Sequence, residues 1–227
     1  MFHIHKAKMK KKQFNATQIF ELLFKRYPDL LRCEEDIMSS YKMLKQAYGE
    51  NNKLLVAGNG GSASDSEHIV GELMKSFLFN RRIEEKYEKR LFDLYGEAGK
   101  EISQKLEGSL CSIPLTSMPA LSTAFLNDVD PTLTFAQMLY GYGVEGDVFL
   151  GISTSGNSKN IINALMVAKA KNIKTIGLTG KSGGKMKDLC DITICVPEDE
   201  TFMIQELHLP IYHALCAMLE ADFFTEK

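Results

Sequence analysis

No stretch of this chain approaches the roughly 20 consecutive apolar residues that a membrane-spanning helix needs, and its start lacks the apolar core of a secretory signal. Instead Lys6, Lys8, Lys10, Lys11 and Lys12 crowd into the first residues, so 1–13 reads as a basic, disordered tail. Neither charge is in excess: 27 Lys and Arg face 29 Asp and Glu, a formal net charge of −2. That balance gives no electrostatic reason to expect nucleic acid or a membrane as a partner. Cysteine is sparse. Cys33, Cys111, Cys190, Cys195 and Cys216 are scattered, odd in number and without a CxxC pair, the pattern of reduced thiols in a cytoplasmic protein. Low-complexity segments are missing, and the serine-rich loop at 153–158 is neither followed by Gly-Lys-Ser/Thr nor a GxGxxG fingerprint, so nucleotide binding has no support there. What remains is ordinary globular composition, 44% hydrophobic and 25% charged over 227 residues, enough for one domain with a substantial core.

Within that domain, 14–227, strand and helix signals alternate. Residues 16–48 carry apolar side chains near helical spacing, interrupted at Pro28 and stopped at Gly49, and predict N-terminal helices over 14–49. "KLLVAG" (53–58) is a short apolar run ending in glycine, typical of a buried parallel strand. A helix is expected from about Ser64 to Phe79. The dense charge of 80–108 predicts a solvated helical hairpin, broken near Gly96–Gly99. Further strands are expected at 111–115, 147–153, 173–180 and 192–197, with helices at 118–126, 131–141 and 159–172 and a closing helix at 201–223. Such alternation implies an α/β fold, a parallel sheet covered on both faces, with an N-terminal helical extension and a charged helical insertion.

Two loops in this order need a job. "STSGNS" follows a strand and opens a helix, which sets the hydroxyls of Ser153, Thr154, Ser155 and Ser158 beside free backbone N–H groups at the positive end of a helix dipole. That is a phosphate cradle, although serine also favours such caps for structural reasons alone. "GNGGS" (58–62) has glycines that let backbone approach a ligand closely. Just after it, His68 and Glu72 share one helix face at i, i+4, a plain surface contact or a pair of donors suited to a divalent metal, zinc being usual for mixed N/O ligands. The closing helix raises the same question, because Gln205, His208 and His213 interrupt its apolar face and a buried polar group needs a partner. Outside the tail, every histidine lies in one of these two helices.

Taken in order, "GNGGSASDSEHIVGEL", "AFLNDVD", "LGISTSGNS", "LTGKSGGKM" and "IQELHLPIYH" resemble the sugar isomerase (SIS) fold, and within it the bacterial phosphoheptose isomerases. The resemblance covers about 50–80 and 110–222. It implies a three-layer, flavodoxin-like domain, a homotetramer with sites at subunit interfaces, and interconversion of sedoheptulose 7-phosphate with glycero-manno-heptose 7-phosphate, early in nucleotide-activated heptose synthesis. It implies one zinc per site on His68, Glu72, Gln205 and His213. Its substrate contacts fall on Asn59, Gly60, Gly61, Glu72, Asn127, Asp128, Ser153, Thr154, Ser155, Ser158 and Gln205. The segment 80–108 is longer than the corresponding loop usually is.

Aldose–ketose interconversion moves one proton between neighbouring carbons and another between oxygens, so it needs a base near carbon and an acid near oxygen. Glu72 is the expected base and His213 the expected acid. Gln205 and His213 lie about 12 Å apart along a straight helix, with Pro210 between them, and His208 points to a different azimuth, which suits a structural role. Two rivals remain: a non-catalytic regulatory relative of the same fold, and a metal-free isomerase of another sugar phosphate. The presence of both Glu72 and His213 favours an enzyme.

Overall fold

The computed structural model describes residues 14–224, so the basic tail expected over 1–13 lies outside the described residues. The expected alternation is there. Helices α1 (Ala16–Arg26) and α2 (Glu34–Gly49), joined by a 3-10 turn from Pro28 to Cys33, precede β1 (Leu54–Gly58) and α3 (Gly61–Met74). Next come α4 (Glu85–Tyr95), α5 (Glu97–Lys105), β2 (Ser112–Pro114), α6 (Pro119–Asp128) and α7 (Thr134–Tyr142). The second half runs β3 (Val148–Ile152), α8 (Lys159–Ala170), β4 (Lys174–Thr179), α9 (Met186–Leu189), β5 (Ile192–Cys195) and α10 (Thr201–Phe224). Helix α3 starts three residues earlier than its sequence suggests and ends at Met74, because Gly60 and Gly61 already turn into it and Lys75 is extended. No helix among the described residues is long and apolar enough to cross a membrane.

All strand pairs are parallel, in the order β2-β1-β3-β4-β5. Successive side chains of a strand point to opposite faces, and both faces are covered. Leu54, Val56, Val148, Leu150 and Ile176 pack under α1, α2, α3 and α10, whereas Leu55, Ala57 and Phe149 pack under α7 and α8. The N-terminal helices are therefore part of the main core, with Ile19, Leu23, Ile37 and Leu44 buried against α10 and the sheet.

Helices α3 and α10 run side by side in the same direction: Gly61 meets Gln205, Asp65 and His68 meet Tyr212, and the end of α3 meets Glu220. A buried ion pair locks the far end. Arg81 donates Nε to Glu220 at 2.7 Å, Nη1 to the Leu73 carbonyl at 2.6 Å and Nη2 to the Glu72 carbonyl at 2.8 Å. Those carbonyls belong to the last turn of α3, whose C=O groups find no N–H donor within the helix. Glu220 also accepts from the Phe77 and Leu78 amides at 2.8 and 2.6 Å, and the Phe224 ring stacks on the guanidinium at 4.8 Å. The charged segment beyond Arg81 behaves differently. Helix α4 has no buried residue, and Tyr87, Phe92, Leu94 and Tyr95 are exposed on it.

Removing one partner of a fully buried ion pair strands the other charge. Arg81→Met is therefore expected to cost about 3–5 kcal/mol in urea denaturation, whereas Lys105→Met, which breaks a solvent-screened pair with Glu101, should leave the denaturation midpoint nearly unchanged. A second prediction concerns His208, which is 0% exposed and whose ring nitrogens have no hydrogen-bond partner of good geometry. Burial pushes its pKa down to about 4, with the Thr179 backbone acting weakly the other way. A depressed histidine pKa means that stability is complete above the ordinary value near 6.5 and is lost as pH falls toward about 4, roughly 3 kcal/mol in all. Between pH 7 and about pH 4, His208→Leu should gain stability relative to the wild type by an amount of that order. An unchanged difference would show that protonation of His208 is not what acid penalises.

Candidate active site

A sheet with this strand order has a switch point between β1 and β3, where chain connections leave in opposite directions and a crevice opens at the strands' carboxyl ends. The two loops singled out by sequence flank that crevice. "GNGGS" leaves β1 and "STSGNS" leaves β3, and each leads directly into a helix, α3 and α8. Neither cap residue, Gly60 or Ser158, places a side chain on its helix's first turn; at α3 the Ser62 and Ala63 amides donate to the Asn59 and Gly60 carbonyls, and at α8 the Ile161 amide donates to Asn160 Oδ1 at 3.0 Å. At α8 the cap residue is Ser158, whose hydroxyl is instead 2.8 Å from that of buried Ser153. The Asn157 amide donates to Ser155 Oγ at 3.2 Å, and Lys185 N donates to Asn157 Oδ1 at 3.1 Å, tying this loop to the next one. Gly156 makes the approach possible: its φ is +63°, and a Cβ there would fall 2.0 Å from the Gly183 carbonyl oxygen. The loops are joined across the crevice by Asn59 and Asn160, whose amides exchange hydrogen bonds of 3.0 and 2.8 Å.

The second cluster lies further along α3 and α10. His68 Nε2 is 3.2 Å from Glu72 Oε1 and 3.4 Å from His213 Nε2. Glu72 Oε2 is buried and makes no hydrogen bond; its nearest cation is Lys75 Nζ at 3.8 Å. Burial lowers the His213 pKa, the neighbouring His68 lowers it further, and Glu72 acts against both. On its other side the His68 ring presents Nδ1 to the Tyr212 hydroxyl at 3.1 Å, and that hydroxyl donates to Asp65 Oδ1 at 3.0 Å. Burial raises the Asp65 pKa, while the Tyr212 hydrogen bond and His68 hold it down.

Of the four expected metal ligands, His68, Glu72 and His213 are together and Gln205 is not with them. Its carboxamide lies against Gly61, 2.7 Å from where a Cβ would stand, at the crevice end of the helix pair. Gly61 and His68 are separated by about 10 Å of helix. Gln205 is thus grouped with Asn59, Gly60, Gly61, Ser153, Thr154, Ser155 and Ser158 rather than with the histidines. Asn127 and Asp128 stand apart from both groups. They close α6, bond to each other at 2.8 Å, and are exposed. Sequence reasoning passed over Asp65, Tyr212, Asn160 and Arg81. Tyr212 reads as one more apolar position of a buried helix, Asp65 as a first-turn acid, and Arg81 as part of a charged run. Only Asn160, directly after "STSGNSK", stood close enough to a motif to be noticed.

Proteins of similar sequence and structure share this fold. The SIS domain model matches residues 121–221. A phosphoheptose isomerase of Aneurinibacillus thermoaerophilus is 41% identical over 199 residues, 88% of this chain and 86% of that protein. Phosphoheptose isomerase 2 of Campylobacter jejuni is 42% identical over 186 residues, 82% of this chain and 79% of the relative. Among solved structures, a phosphoheptose isomerase from Francisella tularensis superposes with a TM-score of 0.68 at 28% identity, covering 90% of this chain and 95% of the other. The chain belongs to the phosphoheptose isomerase family.

Proposed function

We propose that this protein is an aldose–ketose isomerase that converts sedoheptulose 7-phosphate into D-glycero-D-manno-heptose 7-phosphate, an early step of nucleotide-activated heptose synthesis. The observation that carries the reading is the half-buried carboxylate of Glu72 beside His68 and His213, on the helix that starts in a hydroxyl-lined crevice with two helix N-termini. Hydroxyls of Ser153, Thr154, Ser155 and Ser158 and the first amides of α8 hold the phosphate. Asn59, Gly60, Gly61 and Gln205 contact the sugar, together with Asn127 and Asp128. Glu72 takes the carbon-bound proton from C1 while the C2 carbonyl oxygen receives a proton from His213, giving the enediol. Glu72 then returns the proton to C2, and O1 passes its proton to His213 as the C1 aldehyde forms, which restores both residues. A neutral His213 suits this task, because it relays a proton between two oxygens without bringing a fixed positive charge.

A zinc ion belongs to the same proposal. Zinc ligands at about 2.0–2.1 Å in a tetrahedron stand roughly 3.3–3.4 Å from one another, close to the 3.2 and 3.4 Å that separate His68 Nε2 from its two neighbours. The unpartnered Glu72 oxygen offers a further donor. Among the described residues of one chain, however, no group of three or more His, Cys, Asp or Glu side chains is arranged as a ready-made metal centre. Completing the site takes Gln205 or a small adjustment of the ring positions. When bound, zinc would polarise the substrate carbonyl and favour the enediolate.

The proposal extends to a cytoplasmic homotetramer with composite sites. Helix α6, which carries Asn127 and Asp128, has no buried residue although its sequence is PALSTAFLND, and Leu126 and Val129 are 59% and 63% exposed. An apolar helix left uncovered by its own chain is the kind of surface a second copy covers. The free state of all five cysteines suits a reducing compartment.

NMR of purified protein with sedoheptulose 7-phosphate, beside hexose and pentose phosphates, tests the substrate. In deuterated water the wild type should exchange deuterium into the product carbon, and Glu72→Gln should not, with turnover down by about 10²–10⁴. His213→Asn should fall similarly. Wild-type exchange in Glu72→Gln would remove Glu72 as the base. Replacing Ser153 and Ser155 by Ala should raise KM several-fold, since each lost hydrogen bond to a charged group is worth roughly 1.5–3 kcal/mol. Elemental analysis should return about one zinc per site, and sedimentation should return four chains per particle.

A further inference from the structure

We propose that Tyr212 and Asp65 are positioning residues that hold His68 in a single tautomer, with hydrogen on Nδ1 and a lone pair on Nε2. The argument rests on which group can donate to which. An ionised carboxylate only accepts, so the hydrogen bond of 3.0 Å between Tyr212 Oη and Asp65 Oδ1 spends the one hydrogen of the phenol. The phenolic oxygen then has only lone pairs left for its second contact, His68 Nδ1 at 3.1 Å. Nδ1 must supply the hydrogen. In a neutral imidazole this leaves Nε2 bare, and Nε2 is the atom that faces Glu72 Oε1 and His213 Nε2.

The packing gives the chain of bonds its direction and its rigidity. Tyr212 is 2% exposed, and its ring meets those of His68 and His213 edge to face at 5.5 and 5.0 Å. Asp65 and His68 lie three residues apart on α3, so Tyr212, from α10, bridges one helix face. Reversing the order of donors would place a carboxylate against a lone pair of the phenol, with no hydrogen between them. The consequence reaches the site: with Nε2 bare, His68 and the Glu72 carboxylate both turn acceptors toward the same point. That point then favours a cation or the hydrogen of another group, and His213 can donate into it. A His68 with hydrogen on Nε2 would instead bond to Glu72 and occupy the carboxylate that the isomerase reading needs free. The effect on turnover rests on that reading; the tautomer does not.

The experiment uses full-length protein labelled with 15N in histidine, as purified, and two-bond proton–nitrogen spectra that distinguish the two tautomers of each ring. In the wild type His68 is expected to show a protonated Nδ1 and an unprotonated or metal-bound Nε2. In Asp65→Asn the new amide can donate to Tyr212 Oη and free the phenol to donate to Nδ1, so the Nε2–H form should appear. In Tyr212→Phe the fixed acceptor is gone, and His68 should become a mixture. Both variants should lose turnover by about 10–100-fold, the usual effect of removing an outer partner of a site histidine, and the double variant should be no worse than Tyr212→Phe alone. Finding hydrogen on Nε2 in the wild type, or an unchanged Nδ1 signal in both variants, would overturn the proposal. So would a tautomer change with unaltered turnover in an active enzyme, because the two residues would then position nothing that matters. Absence of isomerisation by the wild type would instead defeat the isomerase reading and leave the spectra to decide the tautomer.

Discussion

The parallel contact between α3 and α10 is the constraint on which the site depends. The helices come from opposite ends of the chain, and neither carries a complete set of functional groups. Pairing them in one direction brings residue 61 beside 205, 65 and 68 beside 212, and 73 beside 220. A slip of one turn, about 5.4 Å, would separate His213 from His68 and Glu220 from Arg81. The register is held at the far end by a buried ion pair with five polar contacts and in the middle by the tyrosine between Asp65 and His68. These are polar interactions in a dry place, where an unmatched group costs most. They define one register sharply, whereas apolar packing tolerates small slides.

The sheet supplies the other half. Its strand order puts β1 and β3 at the switch point, and α3 is the helix that follows β1. One element therefore starts in the proposed phosphate crevice and carries Glu72 three turns later. That arrangement grades the site from glycine- and serine-rich helix starts at one end to titratable side chains at the other. It also explains the division among the polar residues of α10. Gln205 belongs to the crevice end and His213 to the end that holds His68 and Glu72, about 12 Å apart along the axis. His208, on another azimuth, is turned beneath the sheet toward Thr179.

The charged hairpin of α4 and α5 stands outside this scheme, with its own helices packed chiefly on each other. Its base does not. Arg81, at the start of the same charged run, is 3% exposed and anchors the end of α3. Charge density along the sequence counts the residue among solvated neighbours, yet its guanidinium finds a carboxylate, two carbonyls and an aromatic face. A buried arginine is recognisable only from its partners, and the carboxylate among them lies 139 positions away.

The sequence alone determined the fold class, the strand and helix order, the two loops that leave β1 and β3 and the identity of His68, Glu72, Gln205 and His213 as a set worth explaining. Each of those rests on local regularity: period-two and period-3.6 patterns, glycine at turns, hydroxyls at helix starts, donor pairs at i, i+4. Tertiary structure decided which members of the set meet. It placed Gln205 with the crevice, His68 and His213 with Glu72, and Asn127 and Asp128 on a helix that its own chain leaves bare. It also revealed Tyr212, Asp65, Asn160 and Arg81, whose roles are directions of hydrogen bonds between distant segments. Periodicity reports which face a residue occupies. It carries no information on what stands opposite that face, because that depends on the register of two helices brought together only when the chain closes on its sheet.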